Sequence, residues 1–130
     1  MDWEAKICVI QEFLSEIYSH EGLKTKICKC DLIDENHYDV SVEIFNQEYL
    51  LSELSFGVGF LKRSGFIYEL EVQDSVRRQG YGTKIVKGLE ETLKNFNFEQ
   101  IHLIPKDSQA ENFWKKRGYR PLASRMIKFL

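Results

Sequence analysis

A chain of 130 residues is about one domain, long enough to bury a hydrophobic core and too short for two, so a single domain over 1–130 is expected. Its 43% hydrophobic and 29% charged residues are the balance of a folded globular protein and exclude disordered and collagenous classes, while a formal net charge of −2 argues against a dedicated nucleic-acid binder. No run approaches the roughly 20 apolar residues that cross a bilayer, and Met1-Asp2-Trp3-Glu4 lacks the basic start of a signal peptide, so a cytoplasmic location without a membrane partner is expected.

The distribution of charge says more than its sum. Residues 1 to 60 hold twelve acidic and four basic side chains, a balance of −8, whereas residues 61 to 130 hold eight acidic and fourteen basic, a balance of +6. One half suits cations and the other anions, although two ordinary solvated faces would give the same count.

Trp3, Ile7, Ile10, Leu14 and Ile17 recur at spacings of three and four and predict an amphipathic helix over 3–20, with Phe13 widening the stripe and Gly22 as its stop. From about Thr25 to Val72 the period changes to two. Tyr38, Val40, Val42 and Ile44 alternate with Asp39, Ser41 and Glu43, as in a half-buried strand. Turn-rich breaks at Asp34-Glu35-Asn36, Asn46-Gln47 and Arg63-Ser64-Gly65 divide the stretch into about four strands of an antiparallel meander.

Gly57-Val58-Gly59 falls inside it; no helix follows, so a bulge or a close backbone approach is expected rather than a phosphate loop. The three cysteines, Cys8, Cys28 and Cys30, have no framework spacing and are expected as reduced thiols. Cys28-x-Cys30 has no second pair to complete a metal site, and its alternation with Lys29 and Asp31 predicts small core residues on one strand face.

After Val72 a polar loop, Gln73 to Gln79, leads into a helix over about 80–95 with Ile85, Val86, Leu89 and Leu93 on one face. A short strand over 101–104, a helix over 109–117 stopped by Gly118 and a last strand over 126–130 complete the chain. The strand-loop-helix around Gly80 is an anion trap. The first turn of a helix carries unpaired N–H groups and the positive end of the macrodipole. Gly80 and Gly82 let a ligand approach the backbone, and Arg77, Arg78 and the Thr83 hydroxyl can add side-chain contacts. A dinucleotide loop would need a third glycine and a trailing acid, and a P-loop a Gly-Lys-Ser/Thr; neither is present.

The segment Arg77-x-x-Gly80-x-Gly82 after Val72 resembles the Arg/Gln-x-x-Gly-x-Gly/Ala signature of the GNAT superfamily of N-acetyltransferases. A second stretch, Asp107-Ser108-Gln109-Ala110-Glu111-Asn112-Phe113-Trp114-Lys115-Lys116-Arg117-Gly118-Tyr119, resembles the family's Asn-x-x-Ala-x-x-x-Tyr-x-x-x-Gly-Phe with its spacing intact. Asp107 stands for Asn, Trp114 for Tyr and Tyr119 for Phe. The likeness is specific over about 65–130 and loose over 1–60, where one helix stands in place of the family's first strand and two helices.

What the resemblance implies is an α/β (α+β) fold: a mixed, mostly antiparallel twisted sheet flanked by helices, with a splayed pair of parallel strands forming a cleft for acetyl-coenzyme A. It implies that the backbone of Leu70 and Val72 holds the pantetheine arm and that Arg77, Arg78, Gln79, Gly80, Tyr81, Gly82 and Thr83 hold the pyrophosphate. Asp107, Asn112, Phe113 and Lys116 would line the far side, with Phe113 as core and Lys116 as a solvated cation the alternatives.

The activity implied is direct transfer of an acetyl group to a primary amine, without an acyl-enzyme. The acidic first half favours a cationic acceptor. A proton acceptor is needed; Glu69 on the strand before the loop is the first candidate, Glu71 the second, His102 on the neighbouring strand the third, and water the last.

Trp114 stands where many relatives carry a tyrosine thought to protonate the departing thiolate, and indole is no acid near neutral pH. A catalytically degenerate coenzyme A-binding sensor or interaction module is therefore the alternative. The basic run Lys115 to Arg120 is a weak case for nucleic acid, since cations are usual at a helix end. Polyamine, aminoglycoside, peptide N-terminus and lysine side chain are all open as acceptors, as is a homodimer.

Overall fold

Asp2 begins the first helix: its carboxylate accepts the Ala5 N–H at 3.0 Å and caps α1 (Trp3–His20). The computed structural model describes residues 2–77 and 79–130. Along α1 the predicted stripe is buried at Ile7, Ile10 and Leu14 and half-buried at Trp3, Phe13 and Ile17, while Tyr18, outside the predicted stripe, is buried with it. The helix ends at left-handed Gly22 (φ 78°), where the N–H groups of Gly22 and Leu23 return to the carbonyls of Ser19 and Tyr18.

Four strands follow as an antiparallel meander: β1 (Lys24–Asp34), β2 (His37–Asn46), β3 (Tyr49–Gly59) and β4 (Ser64–Val72). The chain continues through α2 (Tyr81–Asn95), β5 (Gln100–Leu103), α3 (Ser108–Lys116), β6 (Arg120–Leu122) and β7 (Arg125–Phe129). The seven strands lie in the order β1-β2-β3-β4-β5-β7-β6, with β4 and β5 parallel and the other neighbours antiparallel. This is the mixed, mostly antiparallel sheet expected. β6 went unread in the sequence because Arg120-Pro121-Leu122 is three exposed residues at an edge, with a proline that cannot donate to a ladder.

One face of the sheet carries the core. Val40, Val42, Ile44, Leu54, Phe56, Ile67, Ile101 and Leu103 are buried together with the apolar stripes of α1 and α2. The two helices are joined by the Tyr18 hydroxyl, which donates to the Ile85 carbonyl at 2.6 Å. The opposite face is polar: His37, Asp39, Ser41 and Glu43 on β2 are half-buried, and Glu53, Glu69 and Glu71 are exposed.

Cys28 and Cys30 depart from expectation, since both are exposed, as is Cys8. β1 is an edge strand, and breaks in its register between Ile27 and Lys29 and between Leu32 and Asp34 leave Cys28 and Ile33 as bulge residues. The alternation read from Cys28, Cys30 and Leu32 is therefore interrupted, and the end of β1 has no core above it.

The parallel pair parts early. Ser64 to Ile67 pair with Gln100 to Leu103, after which β5 ends while β4 continues to Val72, still bonded to β3 through Ser52. Residues 68–72 therefore present a bare edge on the β5 side. A bulge marks the point of parting, because Phe56 pairs with Ile67 and Ser55 with Glu69, which leaves Tyr68 as the extra residue.

Candidate functional site

The loop after Val72 is folded by its own hydrogen bonds. Gln73 N–H donates to the Leu51 carbonyl at 2.8 Å, a single 3-10 turn covers Asp74–Val76, and Arg77 reaches back to the Val72 carbonyl through Nε at 3.1 Å while pairing with Asp74 at 3.0 Å. Gly80 then takes the left-handed conformation (φ 82°) at the N-cap of α2, and nothing lies within 4 Å of where a β-carbon would stand.

The N-terminus of α2 differs from the other two. α1 is capped by Asp2 and has Glu4 in its first turn; α3 is capped by Asp107, which accepts the Ala110 N–H at 2.8 Å, and has Glu111. α2 has neither a side-chain cap nor an acid in its first turn. Its first intrahelical donor is Lys84, bonded to the Gly80 carbonyl at 3.2 Å, so the N–H groups of Tyr81, Gly82 and Thr83 have no helical acceptor. A positive helix end without a resident carboxylate is suited to an external anion.

These groups border a cavity of about 720 Å³. The structure brings to it Leu70, Glu71 and Val72 from β4, Arg77, Gly80, Tyr81, Gly82 and Thr83 from the loop and α2, and Asp107 and Phe113 from across the cleft. Gln79, Asn112 and Lys116 are exposed and do not line it, and Arg78 lies outside the described residues. Phe113 forms the opposite wall; a β-carbon on Gly82 would sit 3.3 Å from its ring. Trp114, buried, packs edge-on against Phe113 and Tyr119.

Arg117 was absent from the sequence reading of the cleft. It lies over the Phe113 ring, 4.7 Å from the centroid, and donates to the Thr83 hydroxyl, which fixes a guanidinium at the anion end of the cavity. Its spacing of four from Phe113 on α3 was the available signal, since residues four apart share a helix face.

Of the two candidate carboxylates, Glu71 borders the cleft and Glu69 does not line it. Glu71 lines the cavity and lies 3.9 Å from Lys106, whereas Glu69, exposed, is on the polar face of the sheet one register position beyond the bulge. The alternation of Glu69 and Glu71 against Leu70 and Val72 is intact because the bulge precedes all four.

His102 pairs across with Phe66 on the same polar face; its Nδ1 is buried without a partner among the described residues. Burial, then the charge of Arg125, holds its imidazolium below the usual histidine range. The unfolded chain takes up this proton near about pH 6.5, where the folded one resists it. Stability should therefore fall as pH drops below about 6.5 toward the depressed value, and His102→Gln should flatten that part of a melting-temperature profile.

The profile of the Acetyltransferase (GNAT) family matches residues 12–119. No curated protein sequence matches significantly. Among solved structures, an acetyltransferase from Bacillus cereus aligns with a TM-score of 0.65 at 24% identity, over 98% of this chain and 89% of that one. Ard1 from Thermoplasma volcanium aligns with 0.60 at 17%, over 69% and 70% respectively. The PaiA N-acetyltransferase of Thermoplasma acidophilum, in complex with coenzyme A, aligns with 0.56 at 14%, over 68% and 58%. These likenesses are of fold, and the splayed parallel pair and the loop at α2 fall within the span of the family profile. The chain thus belongs to the GNAT family and is an acetyl-coenzyme A-dependent acyltransferase.

Proposed function

We propose that this chain moves the acetyl group of acetyl-coenzyme A directly to a primary amine that is cationic in solution. One observation carries the reading: the bare edge of β4 over 68–72 runs beside a cavity that ends on the uncapped N-terminus of α2. The backbone of Leu70 and Val72 can bond the amides of a pantetheine arm as a neighbouring strand would, while the N–H groups of Tyr81 to Thr83 and the Arg117 guanidinium receive the pyrophosphate. Acetyl-coenzyme A then supplies a thioester whose carbonyl carbon the amine attacks, with a C–N bond formed and the C–S bond broken.

The rest is the protein's part. Glu43, Glu53, Glu69 and Glu71 make the adjoining sheet face acidic, which concentrates cations there. An ammonium must lose its proton before it can attack. Glu69 is the carboxylate proposed to take that proton, directly or through water, with Glu71 and His102 as the neighbours able to substitute. Unpaired N–H groups on the bare β4 edge can donate to the developing oxyanion. Trp114 offers no acid, so the leaving thiolate depends on the positive cleft or on solvent for its stabilisation.

The experiment is an acceptor screen read by thiol release, run with Glu69→Gln. The wild type should acetylate amines, and the variant should keep its coenzyme A affinity while losing roughly 10²- to 10⁴-fold in rate, with an altered pH profile. Unchanged kinetics would exclude Glu69. Binding without turnover on any amine would refute the proposed reaction.

A further inference from the structure

The polar face of the sheet carries a group that the reaction as proposed does not use. Asp39 on β2 pairs with Gly57 on β3, and Gly57 pairs with Phe66 on β4, so the three form one row across the sheet. At its centre Gly57 leaves a gap that other side chains fill. A β-carbon there would stand 2.6 Å from the Tyr68 hydroxyl, 2.9 Å from His37 Nε2 and 3.0 Å from Asp39 Oδ1. Tyr68 is the bulge residue of β4, and the bulge is what lets its ring lean across β3 toward β2.

The three groups are arranged around one oxygen. Tyr68 donates to Asp39 Oδ1 at 2.9 Å; His37 Nε2 lies 3.2 Å from the same oxygen and 3.1 Å from the Tyr68 hydroxyl. The other oxygen, Oδ2, has no hydrogen bond or ion pair among the described residues. A carboxylate can accept at both oxygens, so the cluster orients Asp39 and leaves one acceptor open to solvent. Burial and the nearby carboxylate push the Tyr68 hydroxyl up to about 12, which keeps it a donor.

Among the described residues no lysine or arginine pairs with Asp39, and His37, its one possible ionic partner, lies on Oδ1. Asp31, opposite Asp39 on β1, is itself paired with Lys29 at 3.3 Å. Beside the cluster the rings of Phe66 and Tyr68 lie 5.0 Å apart and offer π faces to a cation. A half-buried carboxylate with a free oxygen, next to aromatic faces, has the chemistry that binds an ammonium group.

We propose that Asp39, oriented by His37 and Tyr68 over Gly57, is a subsite for a second ammonium group of the acceptor, which makes the enzyme selective for long diamines or polyamines over monoamines. This rests on the reading above that the acceptor is an amine. β2 and β4 are two strand spacings apart, roughly 10 Å, so the acceptor must separate its two nitrogens by about that distance or more. A short diamine cannot span from Asp39 to the bare edge of β4, and a monoamine leaves the subsite unused.

The test compares a series of α,ω-diamines of increasing length with n-alkylamines, on the wild type, Asp39→Asn and Gly57→Ala. Two quantities are read: kcat/KM for each acceptor, and calorimetric binding of a long diamine to the protein without acetyl-coenzyme A. The wild type should prefer the long diamine, with no advantage for the shortest. Asp39→Asn should reduce the ratio of diamine to monoamine kcat/KM by roughly 10- to 100-fold, through KM, which is the factor of one charge-assisted hydrogen bond. Diamine binding should weaken by the same factor, and Gly57→Ala, which fills the space where the groups converge, should act in the same direction.

A wild type without length preference overturns the subsite, as does an Asp39→Asn variant that loses both acceptors equally and melts lower, the behaviour of a mere cross-strand brace. If no amine is acetylated but diamine binding depends on Asp39, the subsite stands and the proposed reaction falls. If amines are acetylated without discrimination by Asp39, the subsite alone falls.

Discussion

Gly82→Val should yield a folded protein that no longer binds coenzyme A. The first β-carbon would stand 3.3 Å from Phe113 and 3.8 Å from the Val72 side chain, at the narrowing between α2 and α3. Phe113 is only half-buried and lines the cavity, so its ring can give way in one direction, into the cleft. The valine and the displaced ring would then both stand in front of the N–H groups of Tyr81 to Thr83. Losing one or two charge-assisted hydrogen bonds, at about 1.5 to 3 kcal/mol each, weakens binding by roughly 10- to 10⁴-fold. Calorimetric titration with coenzyme A reads the loss, and a thermal melt of the free protein checks that the fold survives. A variant that binds normally would show that the anion does not rest on this turn, whereas an unfolded one would assign the glycine to helix packing alone.

Gly88→Val should damage the fold itself. A β-carbon at Gly88 would lie 2.4 Å from Tyr18 Cε1, with two more ring atoms at 3.1 and 3.2 Å. Unlike Phe113, Tyr18 has nowhere to go: it is fully buried and its hydroxyl is bonded to the Ile85 carbonyl. The added volume must push α1 off α2, at about 1 to 3 kcal/mol for overpacking. Breaking the buried hydroxyl's bond adds about 1 to 3 kcal/mol, and relief of the glycine's poor helix propensity offsets at most about 1 kcal/mol. A net loss near 3 kcal/mol corresponds to a fall in melting temperature on the order of 10 °C. A melt indistinguishable from wild type would mean that the two helices separate without strain.

Local patterns carried most of the architecture. Helix α1 matches its predicted span because stripe and stop are both local, from Trp3 to Gly22, and Asp2, which the reading did not use, caps it. The meander follows from strict alternation in β2, and the uncapped turn at Gly80 from glycines whose backbone freedom is local. What escaped depends on neighbours distant in sequence. The bulge at Tyr68 exists only in its register against Ser55 and Phe56, and no pattern within Ile67-Tyr68-Glu69 announces it. The exposure of Cys28 and Cys30 reflects β1's place at the edge, which is a property of the sheet and not of the strand. Gly57 reads from sequence as a bulge or a close backbone approach, but which groups approach it depends on β2 and β4 lying on either side of β3. Arg117 belongs with Thr83 only because α3 comes to lie beside the start of α2.

The two irregularities of β1 bear on whether another chain can add a strand at this edge. An eleven-residue outer strand with exposed Leu32 and Ile33 would, if flat, be a template on which another copy could add its own strand and begin a fibril. Cys28 and Ile33 each insert an extra residue, so the outward-facing donors and acceptors fall out of step twice within that length. A second chain could zip along only a few residues before meeting a mismatch, and Lys24, Lys26 and Lys29 would meet their own like charges in a parallel approach. What looks like imperfect pairing on the inner side thus works against strand addition on the outer one.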